Sequence, residues 1–165
     1  MIHDTLLLPL PQSLSFAPFV WLMRTPLLSN GLIQGLNLFI KGILFHLGLK
    51  YPKRLGLDEK KAYLCPFPSW SSRLPILDLV RQIPLTSNNT IISFLQTIES
   101  GMKQLQQIPV SIIWAKDDPA FRQYLPPTKT LFPQAEFHLI DNAGHFLQED
   151  AYEKIIPIIL NFLSR

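Results

Sequence analysis

The sequence predicts an α/β fold in which a mostly helical region precedes the β-α-β-α edge of a parallel sheet. Three observations carry this. Residues 109–115, "PVSIIWA", and 135–141, "AEFHLID", are compact apolar runs of strand length, rich in strand formers. A short helical segment separates them, and an amphipathic segment follows the second. Residues 1–105, by contrast, are punctuated by proline and read as helices with few strand candidates.

Within 1–105 the best strand candidate is "DTLLLPL" (4–10), and Pro9 cuts it. Helices are expected over roughly 16–24, 31–47, 71–81 (interrupted by Pro75) and 90–104. The loops "YPKRLG" and "CPFPSW" lie between the second and third of these. In 31–47, Ile33, Leu36, Ile40, Ile43, Leu44 and Leu47 share one face, with Gln34, Asn37 and Lys41 opposite. A central lysine is costly in a bilayer, so the segment reads as an amphipathic helix and not as a membrane span.

The second region, 106–165, begins with the first apolar run, which ends at Asp117-Asp118-Pro119. "AFRQYLPPTKTLFP" (120–133) reads as a loop, Pro126-Pro127 and a short helix closing near Pro133. After the second run, Glu149 and Asp150 suit the positive end of a helix dipole. Tyr152, Ile155, Ile159 and Phe162 then form an apolar stripe, and Pro157 is expected to kink that helix or delay its start. Strand, helix, strand, helix implies parallel strands joined by a right-handed crossover. Two strands are not stable alone, and parallel strands have both faces covered. The segment therefore reads as the edge of a larger sheet.

Composition narrows the function. Of 165 residues, 16% are charged, below the roughly 25% usual for soluble domains. The net charge of +3 is mild, and Asp58 and Glu59 interrupt the cluster Lys50, Lys53, Arg54, Lys60 and Lys61, so no nucleic-acid partner is expected. A single cysteine, Cys65, excludes an internal disulfide and fits a reducing, cytoplasmic compartment. The first residues lack the pattern of a signal peptide. His3, His46 and His138 have no ligand spacing with neighbouring acids, so neither a metal nor another cofactor is expected.

The chemistry-bearing pattern is an acid after one strand and a histidine after the next. Asp118 follows "SIIWAKD" and His145 follows "FHLIDNAG". Taken alone, Asp117-Asp118-Pro119 is a turn and Gly144-His145 a loop. Together, parallel strands about 4.8 Å apart bring both loops to one sheet edge, where open α/β sheets place their sites. There a carboxylate would orient the imidazole, which would act as a general base. Asp117 is the competing acid. Cys65 precedes a proline and has no elbow, so it reads as a buried or half-buried structural thiol. Ser29 and Ser69 read as turn serines, and Trp21 and Trp70 as helix packing.

These segments resemble one family. "IPVSIIWAKDDPAF" resembles the late strand of α/β-hydrolase-fold enzymes, where W-G-x-x-D-x-x-F is common. Trp114, Asp118 and Phe121 match, and Ala115 replaces the glycine. "FPQAEFHLIDNAGHFLQED" resembles the last strand and the catalytic-histidine loop, with His145 matching. "AYLCPFPSWSSRLPILDLVRQIP" (62–84) resembles the cap of the haloalkane dehalogenase-like branch, which includes epoxide hydrolases and β-lactone decarboxylases. The first residues, "IHDTLLLPLP", look like the end of the strand that precedes that cap.

The resemblance implies a partial α/β-hydrolase fold. Residues 1–105 would supply the end of a core strand and the helical cap, and 106–165 the carboxyl-terminal part of the core. Family spacing selects Asp118 over Asp117 as the triad acid and assigns His145 as the base. Neither the nucleophile elbow nor the oxyanion-hole loop is found in the sequence. The expectation is therefore a carboxyl-terminal hydrolase fragment, inactive alone and taking a small-molecule substrate only when completed. A separate amino-terminal half is the expected partner. The alternative is a non-catalytic chain that self-associates or pairs through an exposed sheet edge.

Overall fold

The computed structural model describes residues 2–3, 17–83, 90–105 and 107–165. Its sheet has three parallel strands in the order β1-β2-β3: Ile2–His3, Ser111–Ala115 and Glu136–Ile140. Ile2 lies opposite Ile112, and Ser111 through Ala115 pair with Glu136 through Ile140. The central strand is buried throughout. Ile112 and Trp114 enter one apolar cluster, while Ile113 and Ala115 enter another. Two covered faces explain why "SIIWA" is continuously apolar and does not alternate. The candidate strand at 4–10 lies outside the described residues.

Helices cover both faces. On one, Tyr124, Leu131 and Phe132, in and beside α5 (Leu125–Leu131), pack on Ile112 and Trp114. Pro126 sits in the first turn of α5, where a missing N–H is harmless. On the other, α6 (Leu147–Asp150) and α7 (Tyr152–Leu163) bring Leu147, Ala151 and Ile155 against Ile113, Ala115 and Ile140. Pro157 does not delay α7, which starts five residues earlier. The carbonyl left without its donor belongs to the exposed Glu153, where water can reach it. The inward stripe of α7 is Ile155, Ile158 and Ile159. Tyr152, expected on it, is exposed and lies under the Arg54 guanidinium instead.

The amino-terminal region contains α1 (Ala17–Arg24), α2 (Leu57–Leu64), α3 (Leu74–Gln82) and α4 (Thr90–Met102). Pro75 sits in the first turn of α3 and does not interrupt it; a tight turn at Ser71–Arg73 precedes it. Met23, Ile33, Ile40, Leu44, Ile76, Leu77 and Val80 form a separate core among these helices.

The expected single helix over 31–47 is corrected. It is two π-helical segments, Asn30–Gly35 and Phe39–Leu47, on either side of Asn37 at φ 53°. Leu36 N–H bonds to Gly31 O at 2.9 Å and Gly48 N–H to Ile43 O at 2.6 Å, five residues back in each case. Wider turns shift the phase of the pattern. Ile33, Ile40 and Leu44 stay inside, but Leu36 and Leu47 become exposed while Gln34 and Asn37 become buried. Gln34 is satisfied there, accepting from Asn30 Nδ2 at 2.8 Å and donating to Trp70 O at 3.1 Å. No helix among the described residues is long and apolar enough to cross a membrane.

Candidate active site

The loops after β2 and β3 meet at the carboxyl ends of the strands. Beyond Ala115 the chain turns through Lys116 and Asp117 into Asp118, which is 0% exposed. Asp118 Oδ1 accepts the Ala120 N–H at 2.7 Å, so the turn itself holds the carboxylate. Beyond Ile140, Lys116 Nζ pairs with the Asp141 carboxylate at 2.9 Å, and Lys154 Nζ donates to Asp141 O at 3.1 Å. The Lys116 ammonium holds the Asp141 carboxyl below its ordinary range. Asn142 then takes φ 61°, a conformation asparagine tolerates, and reverses the chain towards Gly144 and His145.

His145 Nδ1 lies 3.0 Å from Asp118 Oδ2. The imidazole sits against the Phe121 ring at 4.8 Å and the Phe146 ring at 5.0 Å between centroids. Its side chain remains 27% exposed. A carboxylate accepting the Nδ1 proton leaves the lone pair on Nε2. A buried acid behind a partly open imidazole can thus orient a base and stabilise the imidazolium that forms. Asp117, by contrast, is 42% exposed and pairs with Lys50 Nζ at 3.6 Å. The structure separates the two neighbouring acids, and Asp118 is the one on the histidine.

Other sequence candidates fall elsewhere. Trp114 is fully buried in the sheet core, while Phe121, from the same motif, reaches the imidazole. Cys65 is exposed, with Sγ 3.3 Å from Ala62 O. The expectation of a buried or half-buried thiol is therefore wrong, because α2, at whose end it lies, buries no residue. Ser69 bonds within the turn formed with Ser72, and Ser29 is buried at the start of a π-helical segment. Trp21 and Trp70 are exposed. Among the described residues no three His, Cys, Asp or Glu side chains gather as a metal ion would need.

Sequence reasoning missed the wall behind the histidine loop. Asp150 is 2% exposed and accepts three backbone N–H groups: Lys50 at 2.7 Å, Tyr51 at 2.9 Å and Gly144 at 2.8 Å. Phe146 N–H bonds to Gly48 O at 3.1 Å. Nearby, Tyr63 donates to Glu149 at 2.6 Å; burial, then this carboxylate, push the phenol up to about 12. The only signal in the sequence is an acidic pair after the histidine, which a helix dipole explains equally well.

Helices packed beside the last strands of a parallel sheet, with an acid and an imidazole at successive strand ends, define the class as the α/β-hydrolase fold. Within it, the chain resembles about half of haloalkane dehalogenase-like α/β-hydrolases, in sequence and in fold.

The comparisons agree on this branch, although no protein-family model matches the chain. A cis-3-alkyl-4-alkyloxetan-2-one decarboxylase of Shewanella oneidensis is 29% identical over 94% of this chain and 47% of its own length. The enzyme of the same name from Xanthomonas campestris is 27% identical over 100% of this chain and 54% of its own. A haloalkane dehalogenase of Mesorhizobium japonicum is 24% identical over 86% and 45%. The chain thus spans about half the length of the curated relatives it matches. Among solved structures, a haloalkane dehalogenase from Agrobacterium tumefaciens C58 superposes with a TM-score of 0.78 at 22% identity, over 99% of this chain and 54% of that one. One from Bradyrhizobium elkani gives 0.72 at 20% identity, over 89% and 51%.

Proposed function

We propose that Asp118 and His145 are the orienting acid and general base of an α/β-hydrolase active site whose nucleophile lies on polypeptide outside these 165 residues. The 3.0 Å contact between Nδ1 and a wholly buried carboxylate, with the imidazole still partly open, carries this reading. In it, residues 1–105 contribute the end of a core strand and the cap, and 106–165 the last part of the core. With no nucleophile elbow in the sequence to supply an attacking group, the 165 residues alone are expected to turn over essentially nothing. The single exposed cysteine supports a reducing, cytoplasmic setting.

In the completed site the nucleophile bonds to a substrate carbon while the bond to the leaving oxygen or halide breaks. His145 Nε2 then takes a proton from the water that attacks the covalent intermediate, the bond to the nucleophile breaks to release the product, and Asp118 stabilises the imidazolium until its proton passes to the departing oxygen or to solvent. The substrate class is a small apolar electrophile. An alkyl-substituted β-lactone is placed ahead of a haloalkane, because the two relatives named for the former are 29% and 27% identical and the one named for the latter 24%.

A second reading has one observation in its favour: Leu139 on β3 and Ile156, Leu160 and Leu163 on α7 are exposed. Such a surface suits a non-catalytic chain that pairs with another protein or with itself.

The deciding experiment co-expresses the chain with an α/β-hydrolase amino-terminal half encoded upstream. The purified product is assayed on dialkyl oxetan-2-ones and haloalkanes. The proposal expects co-purification, turnover by the pair and none by the chain alone. Turnover by the chain alone, or a stable pair with no turnover, overturns it.

A further inference from the structure

We infer that Asp150 is a positioning residue for His145, locking the histidine loop to the segment where the π-helical element leaves the cap. This rests on the reading of His145 as the base. The carboxylate bridges two stretches of backbone about a hundred residues apart. Oδ2 takes Lys50 N–H and Gly144 N–H, and Oδ1 takes Tyr51 N–H. One of the three donors is therefore the amide immediately before His145.

A helix dipole does not account for this placement. The helix that follows, α7, begins at Tyr152, and the carboxylate is bonded instead to the amides of Lys50, Tyr51 and Gly144, none of them in that helix. A buried carboxylate is tolerated where charge-assisted bonds satisfy its lone pairs, and three backbone donors do so here.

The junction leaves no slack. A Cβ on Gly144 would stand 2.6 Å from Gly48 O and 3.0 Å from Lys50 N. A Cβ on Gly48 would stand 2.3 Å from the Phe146 ring, which itself lies against the imidazole. Phe146 N–H bonds to Gly48 O, and Arg54 Nη1 donates to Asp150 O at 2.6 Å. The backbone on both sides of His145 thus rests on residues 48–51, and Asp150 closes the seam. His145 has two aims to satisfy: Nδ1 towards Asp118, and Nε2 towards the reacting proton. Both depend on where this backbone sits, and a shift of an ångström is enough to cost about 100-fold in rate.

The test uses Asp150→Asn and Asp150→Ala, with Tyr63→Phe as the control. Asn keeps an oxygen that can serve Lys50 and Gly144 but faces Tyr51 N–H with another donor, so it folds with part of the seam intact. Tyr63→Phe removes a bond between the same two regions without touching the Asp150 carboxylate. The readout is the His145 Nδ1–H resonance and the imidazole tautomer, from nitrogen-15 NMR of the 165-residue chain.

The expected result is one tautomer and a slowly exchanging Nδ1–H in wild type and Tyr63→Phe. Faster exchange and a mixed tautomer are expected in Asp150→Asn, and loss of the signal in Asp150→Ala. In the completed enzyme kcat falls about 10- to 100-fold for Asp150→Asn with KM little changed. An unchanged His145 signal in Asp150→Asn, or an equal change in Tyr63→Phe, overturns the inference and makes Asp150 a purely structural clamp. Neither outcome touches the base reading. That reading fails separately, if His145→Ala leaves turnover by the completed enzyme intact.

Discussion

His145 Nδ1 stands 3.0 Å from Oδ2 of Asp118, while Asp117, one residue earlier, points to Lys50 on the surface. Two adjacent acids of the same chemistry therefore have different partners, set by which side of the turn each faces. If the proposed assignment holds, Asp118→Asn is expected to reverse the preferred imidazole tautomer and to lower kcat of the completed protein by about 10³- to 10⁴-fold. Asp117→Asn removes only an exposed ion pair, changing stability by about 0–1 kcal/mol and turnover little. Hydrolysis rates and urea midpoints of the two variants, side by side, check this.

Asn142 turns the chain after β3 at φ 61°, a conformation that costs an ordinary residue about 1–2 kcal/mol. Asn142→Gly is expected to be close to neutral in stability. Asn142→Val is expected to lose about 1–2 kcal/mol or more, because a β-branched side chain fits that region worst. Chemical denaturation reads the difference.

The two ends of the glycine scale predict opposite signs. Gly144→Ala forces a methyl against the Gly48 carbonyl and the Lys50 amide, and is expected to cost about 1–3 kcal/mol. Gly31 has open space around its Cβ position within a π-helical segment, so Gly31→Ala is expected to gain about 0.5–1 kcal/mol. Thermal melts of both variants suffice.

Tyr63 makes stability depend on alkaline pH. Burial, then the Glu149 carboxylate, push its phenol up to about 12, against 10.0 for a free tyrosine. The fold favours the neutral phenol. Its contribution is complete below pH 10.0 and is lost as the pH rises to about 12. Tyr63→Phe is expected to remove that component and about 1–2 kcal/mol at neutral pH. Urea midpoints measured from pH 8 to 12 show whether the wild-type curve falls more steeply than the variant's, in which Tyr124, its phenol also pushed up by burial, still contributes a fall.

Strands β2 and β3 and the contact between Asp118 and His145 were legible because each rests on local pattern, whereas local pattern did not mark β1 at Ile2–His3. "SIIWA" and "EFHLI" are strand-length runs, and Asp118 and His145 follow them at short distance. The amino-terminal helices were less legible. Residues 31–47 carry a clean α-helical pattern, yet Asn37 at positive φ and the wider turns on each side rotate Gln34 inward and Leu36 outward. A backbone irregularity of this kind has no hydropathy signature. Helix α2, "LDEKKAYL", buries nothing and so carries no stripe to announce it. Asp150 was visible only as an acid near a helix start, since its partners, Lys50 and Tyr51, are about a hundred residues away.

The central claim is that the His145 imidazole, held by Asp118, is the base of a hydrolase site completed by another stretch of polypeptide. The decisive comparison is turnover of a dialkyl oxetan-2-one by the completed protein, wild type against His145→Ala. Wild type is expected to turn over, and the variant to lose that activity by about 10³-fold or more with the two halves still associated. Equal rates for the two proteins would contradict it.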